Sequence, residues 1–281
     1  MLIRPGSPLR NVPAAVDGRT AFVIDGLRFA MDAAALSFDR LRLALMTFST
    51  VEKPLDTDAP ALALADAWAT VDAMNRVVEL VVYTLRTLDP EATDPWADLD
   101  ALRPPIGDFL KAARGARGLR NGFHHLPSKL NLALSQRHPV MGILRWVYLA
   151  PEMAARGEAT FHFYVSGSTH DATMEIGPDI ATGTLVAPIA KVSLSAFGEK
   201  LDLSAMGDAL PGLTAEFEAQ FAPQFKGMKV RPCGLLGTAR LAGMQLVAVP
   251  DSATTSPTTT LPAGKTRAAG PRVPGTRRRR G

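Results

Sequence analysis

The chain has 281 residues, 47% of them hydrophobic and 21% charged, enough to bury one large core or two modest ones. Its formal charge of +4 comes from the end of the sequence. Residues 251–281 hold seven cations, the last four being Arg277 to Arg280, against Asp251 alone, so residues 1–250 carry a formal −2. One cysteine, Cys233, excludes a disulfide framework or a cysteine-based zinc site within a single chain.

Residues 1–18, with three prolines and two glycines, are expected to form a flexible lead-in. They show no apolar core segment for secretion, and the apolar run Val77 to Leu85, broken by Glu79, is too short to span a bilayer. Cytoplasmic localisation and no membrane partner are expected.

A long amphipathic helix is predicted from about Arg19 to Phe48. Its stripe, Leu27, Met31, Ala34, Phe38, Leu41, Leu45 and Phe48, alternates spacings of four and three. A second helix, about Ala61 to Leu88, repeats the pattern at Leu64, Ala67, Val71, Met74, Val78, Val81, Leu85 and Leu88. Glu52 to Pro60 is the turn, and the pair is expected as an antiparallel hairpin. Asp25, Asp32 and Asp39 recur every seven residues. They read as an exposed acidic stripe paired with Arg28 and Arg42 rather than as a metal site.

Asp89 to Pro105 is a proline-rich connection, and Pro104-Pro105 suits a helix start. A third helix is predicted from there to about Leu126, ending at Pro127, with Ile106, Leu110, Ala113 and Arg117 on one face. Ser128 to Ser135 is a further short helix candidate. From Arg103 to Arg145 eight cations stand against Asp108 alone, a local +7 in a body otherwise at −9. Such a field attracts phosphates; a solvated cationic face balanced by acidic neighbours is the other reading.

After about residue 145 the periodicity changes. Phe161 to Val165, Ala172 to Ile176, Lys191 to Phe197 and Ala239 to Val249 read as strands, and Asp208 to Phe225 as a helix with Leu210, Leu213, Phe217 and Phe221 inward. The class is α+β: an N-terminal antiparallel helical bundle, then a small mixed sheet-and-helix region. The expected organisation is a bundle over 19–149, a mixed region over 150–250 and a disordered basic tail over 251–281. Trp146-Val147-Tyr148 is placed as the anchor between the halves. His162, between Phe161 and Phe163, reads as a strand residue on the polar face, and Ser166-Gly167-Ser168 as a hairpin turn.

The chemistry-bearing stretch is Arg120-Asn121-Gly122-Phe123-His124-His125. Cleavage of RNA needs no metal, because the 2′-hydroxyl supplies the nucleophile. The protein must add an acid/base near neutral pH, which His provides, and a fixed cation for the phosphorane, which Arg provides. Asn121 is suited to orienting them. On a straight helix, Arg120 and His124 share a face while Arg120 and His125 diverge, so His125 joins Arg120 only if the helix ends near Gly122 or the site is completed across a dimer.

Leu119-Arg120-Asn121 followed by His125, with Arg117 and His124 as a wider-spaced pair, resembles the motif of the HEPN superfamily (higher eukaryote and prokaryote nucleotide-binding domains). His125-Leu126-Pro127 and His138-Pro139-Val140-Met141-Gly142-Ile143-Leu144-Arg145-Trp146 resemble bacterial members with an Arg-Asn…His motif and a Gly-x-x-x-Trp segment. The resemblance covers roughly residues 19–149. It implies a bundle on a long helical hairpin and a homodimer. It also implies binding of RNA or nucleotide phosphates, with metal-independent endoribonuclease activity in active members and no cofactor. Arg120, His125 and Asn121 are then the catalytic candidates, and Arg117, Arg114 and His124 the phosphate-binding ones. The alternative is a non-catalytic helical interaction or dimerisation protein whose basic helix docks an acidic partner.

Overall fold

The structure is a computed structural model and describes residues 2–88, 94–128, 131, 139, 141–167 and 188–230. Contacts divide the chain into Met1–Leu235 and Leu236–Gly281, the second lying wholly outside the described residues. So do the expected strands Ala172 to Ile176 and Ala239 to Val249 and the tail 251–281. The described part is α+β.

Helix α1 (Gly18–Thr50) is capped by Asp17, whose carboxylate accepts from the Arg19 and Thr20 amides. After a short 3-10 turn (Pro54–Asp56), α2 (Ala59–Leu88) runs back along it. The α1 stripe from Leu27 to Phe48 is buried throughout, and on α2 Ala67, Val71, Met74, Val78 and Val81 are buried in the same core, with Leu64 buried as well. Burying large aliphatic side chains contributes about 1.5–3 kcal/mol each, so this seam is the main apolar store of the fold.

The lead-in is not loose. Ile3, Leu9 and Val12 are buried in the same core. Asp32 holds the segment: its carboxylate accepts from the Leu2 and Ile3 amides at 3.1 Å and pairs with Arg10 at 2.7 Å. Asp32 is therefore no member of an exposed acidic stripe. Asp25 does lie near Arg28, at 3.7 Å, but Arg28 is buried.

The single helix expected from Pro104 to Leu126 is two, α3 (Pro104–Ala112) and α4 (Ala116–His124), broken over Ala113–Gly115. Consequently Arg117 does not continue the face of Ile106, Leu110 and Ala113. In α4 the inward residues are Ala116, Leu119 and Gly122.

A four-stranded antiparallel sheet follows, in the order β2-β1-β3-β4. Its strands are β1 (Ile143–Tyr148), β2 (Thr160–Val165), β3 (Ile189–Ala196) and β4 (Glu199–Asp202), with a short α5 (Pro151–Ala154) before β2. β1 falls inside the stretch expected to be helical and is a central strand. It does anchor the halves: the Trp146 indole is fully buried and donates to Ser49 Oγ at 2.8 Å, at the end of α1. β3 and β4 are joined by a two-residue turn, Phe197-Gly198, with both residues at positive φ (54° and 81°), the conformation of a tight hairpin.

Helix α6 (Leu203–Phe225) starts five residues before the expected Asp208, because Asp202 caps it by accepting from the Ala205 amide at 2.9 Å. Leu210, Leu213, Phe217 and Phe221 are inward, as their spacing predicts.

Helix α4 lies unusually close to the β3–β4 hairpin. A Cβ at Gly122 would stand 2.4 Å from the Phe197 ring and 3.1 Å from its Cβ; at Gly118 it would meet the Glu199 carboxyl at 2.7 Å, and at Gly115 the Lys200 carbonyl at 2.7 Å. Gly122→Ala should therefore lower unfolding stability by about 1–3 kcal/mol, the usual cost of overpacking. Gly18→Ala, whose Cβ meets nothing within 4 Å, should change it far less. Urea denaturation of the two variants measures this, and a Gly122→Ala protein as stable as the native one would remove the close-approach account.

Candidate phosphate-binding site

The glycine face of α4 fixes where the other residues go. With Gly118 and Gly122 against the hairpin, Arg114, Arg117 and Asn121 are exposed and Arg120 half-buried. Arg120 turns to α2: its Nε donates to Asp72 at 3.2 Å, and a terminal nitrogen lies 3.7 Å from Glu79. Asp72 also holds Arg76 at 2.6 Å, and His124 Nε2 lies 3.8 Å from it. The structure thus brings Arg120 and His124 together on one carboxylate, as four-residue helical spacing requires. His125 is elsewhere. It caps α4, its amide bonding the Asn121 carbonyl at 3.0 Å, and it is exposed. Among the described residues no hydrogen bond or ion pair joins its side chain to Arg120.

Arg114 and Arg117 have no carboxylate partner among the described residues. They line a cavity of about 530 Å³ whose other wall is α2, with Asn75, Glu79, Tyr83 and Arg86, closed by Trp96. Arg86 is paired with Asp94 at 3.1 Å. Asn75 is fully buried. Its Nδ2 donates to Glu79 at 2.9 Å, which fixes the amide orientation because a carboxylate only accepts. The Oδ1 has no hydrogen-bond partner among the described residues. An orphaned buried acceptor is costly, and a ligand N–H or O–H would satisfy it.

The site therefore has two unlike parts. Around Arg120 positive charge is already compensated by Asp72 and Glu79. Around Arg114 and Arg117 it is not, and an aromatic ring and an unused acceptor are close by. Of these, Asn75, Glu79, Arg86 and Trp96 were not expected from sequence, although Asp72, Arg76, Glu79, Tyr83 and Arg86 form a 4-3-4-3 polar stripe along α2. The described residues contain no cluster of His, Cys, Asp or Glu that would hold a metal ion. No described helix is long and apolar enough to cross a membrane.

His162 differs from expectation. Antiparallel register sets it opposite Trp146, so it faces the helices and stacks on the indole (centroids 5.2 Å apart, planes 7°), while Phe161 and Phe163 share the other face. Burial holds its pKa below the ordinary histidine range, and its Nε2 has no hydrogen-bond partner among the described residues. Ser166 is buried, accepting from the Met141 amide at 2.9 Å and donating to the Gly142 carbonyl at 3.1 Å; it ties β2 to the start of β1.

Comparison of the chain with protein-family models, curated proteins and solved structures gives no match.

A histidine whose folded pKa is depressed binds its proton less readily than in the unfolded chain, whose value is ~6.5. The unfolded state then takes up more protons as pH falls, so stability is present above about pH 6.5 and declines below it. Thermal melting of the native protein at pH 7.5 and 5.5 should show this loss, and His162→Phe, which keeps the stack without titrating, should reduce it. An identical pH response in both proteins would remove His162 as the cause.

Proposed function

We propose that this is a HEPN-like protein that binds the phosphates of RNA or a nucleotide at the cavity between α2 and α4. The observation that carries the reading is the pair Arg114 and Arg117: exposed, three residues apart across the start of α4, unpaired by any described carboxylate, and lining the same cavity as Trp96. Arginine forks grip phosphate oxygens bidentately and stay charged at any working pH. An indole beside them offers a stacking surface for a base, and Asn75 Oδ1 an acceptor for an exocyclic amine or a ribose hydroxyl.

Binding is favoured over cleavage. A catalytic Arg120 would have to leave Asp72 and Glu79 to stabilise a phosphorane, and His125 would have to approach it from the helix end. This compensation of Arg120 supports the second reading, a non-catalytic protein, within the same binding proposal. We propose a homodimer as well, on the strength of the outer face of α1 rather than of the cavity.

Fluorescence anisotropy with a labelled single-stranded RNA tests the binding reading. Arg114→Ala/Arg117→Ala should weaken binding about tenfold or more and make the log K–log salt slope shallower by roughly 1.4, about 0.7 per lost phosphate contact. Equal affinity and slope in the double variant would defeat it. In metal-free buffer the native protein should leave the RNA intact; cleavage abolished by Arg120→Ala and His125→Ala would instead establish the nuclease.

A further inference from the structure

The outer face of α1 carries a second seam that the core does not use. Phe22, Phe29, Leu36 and Leu43 recur every seven residues and are 77%, 63%, 61% and 60% exposed. They extend over about 32 Å of helix. Between them, at four-three spacing, lie Gly26 and Ala33, and across the groove Ala69 and Ala73 of α2 continue the row of small residues; the groove has a volume of about 860 Å³. The four large side chains expose on the order of 450 Å² of apolar surface, at the level of the largest patch on an ordinary monomer, ~300–600 Å². They would provide more than half of the ~800 Å² that each partner of a standard interface buries.

We infer that this face pairs with a second copy of the chain, antiparallel, α1 against α1. The argument is self-complementarity. A two-fold interface must carry its own complement, because the same surface meets itself. Here large side chains alternate with small ones along one stripe, so an antiparallel copy places knobs of each helix over holes of the other. The position where a third small residue would fall is Arg40, which is drawn aside to Asp66 at 3.1 Å. The groove edge carries both signs, Arg76 and Glu79, each more than half exposed and each paired within the chain, so it presents no net charge to repel a second copy. Phe29 is also held in place: the Arg28 guanidinium lies 3.9 Å above its ring, which lowers the ordering cost of docking. The inference deepens the homodimer part of the proposed reading and is independent of the phosphate part.

Light scattering coupled to size exclusion on the full chain decides it. The native protein should have twice the 30.0 kDa chain mass. Phe29→Glu and, separately, Leu36→Glu should raise the dimer dissociation constant at least about thirtyfold, giving single-chain mass at micromolar concentration. Circular dichroism should be unchanged, because both positions are exposed, while the native melting temperature should fall on dilution toward that of the variants. A native protein of single-chain mass at about 100 µM would overturn the inference and leave the face to a different partner or a lipid surface. A doubled mass in both variants would overturn it by placing the pairing elsewhere. RNA affinity, measured on the same samples, reports the cavity separately: its failure with the dimer intact removes only the phosphate reading.

Discussion

The seam between α1 and α2 is the constraint on which the remaining structure depends. Two helices of about nine and eight turns meet along an alternating three-four row of buried side chains. Later elements are packed on them directly or through one another. α6 reaches α1 through Gly207, where a Cβ would stand 2.5 Å from Phe38, and through Thr214 beside Met31. The sheet is held to the end of α1 by Trp146 and Ser49, with Phe48 edge-on to the indole at 5.2 Å. α4 lies against α2, where Phe123 stacks on Trp68 at 4.5 Å. Because one side of each long helix is committed to the seam, the polar stripe of α2 and the apolar outer stripe of α1 are left to do other work.

The electrostatics of the cationic region follow from that arrangement. The polar stripe of α2 supplies Asp72 and Glu79 directly opposite α4, and they take up Arg120. Arg117, one turn earlier on α4, and Arg114, in the break before it, make no ion pair with either carboxylate. Of Arg114, Arg117 and Arg120, one is thus paired and two are not, while Arg103 and Lys111 of the same basic stretch pair with Glu216 and Asp100. The glycine face of α4 makes this division possible, since any side chain at Gly118 or Gly122 would push the helix off the β3–β4 hairpin and away from this register with α2.

How much of this was legible in the sequence depended on whether a local pattern decided the outcome. The seam was legible because both stripes keep strict three-four spacing. The inward residues of α6 were legible for the same reason. β1 was not: Ile143 to Tyr148 has too many apolar residues to alternate, so it reads equally as the end of a helix, and pairing on both sides decides it. The break between α3 and α4 falls where Gly115 packs against the Lys200 carbonyl, about eighty-five residues away in sequence. His162 was assigned to the wrong face because apolar-inward is the default for Phe-His-Phe, whereas register against Trp146 turns the imidazole in. At the candidate site, the basic residues and the Arg120–His124 face were legible from spacing. The pairing of Arg120 with Asp72 and the presence of Trp96 in the cavity were not, since both are tertiary contacts between distant segments.

The central claim is that Arg114 and Arg117, and not Arg120, receive a phosphate ligand. Nitrogen-15 spectra of the arginine Nε–H groups during titration with a single-stranded RNA would test it most directly. The account predicts saturable shifts of the Arg114 and Arg117 signals and of the Trp96 indole, with Arg120 unmoved on Asp72. Shifts confined to Arg120, with Arg114 and Arg117 unchanged, would contradict it.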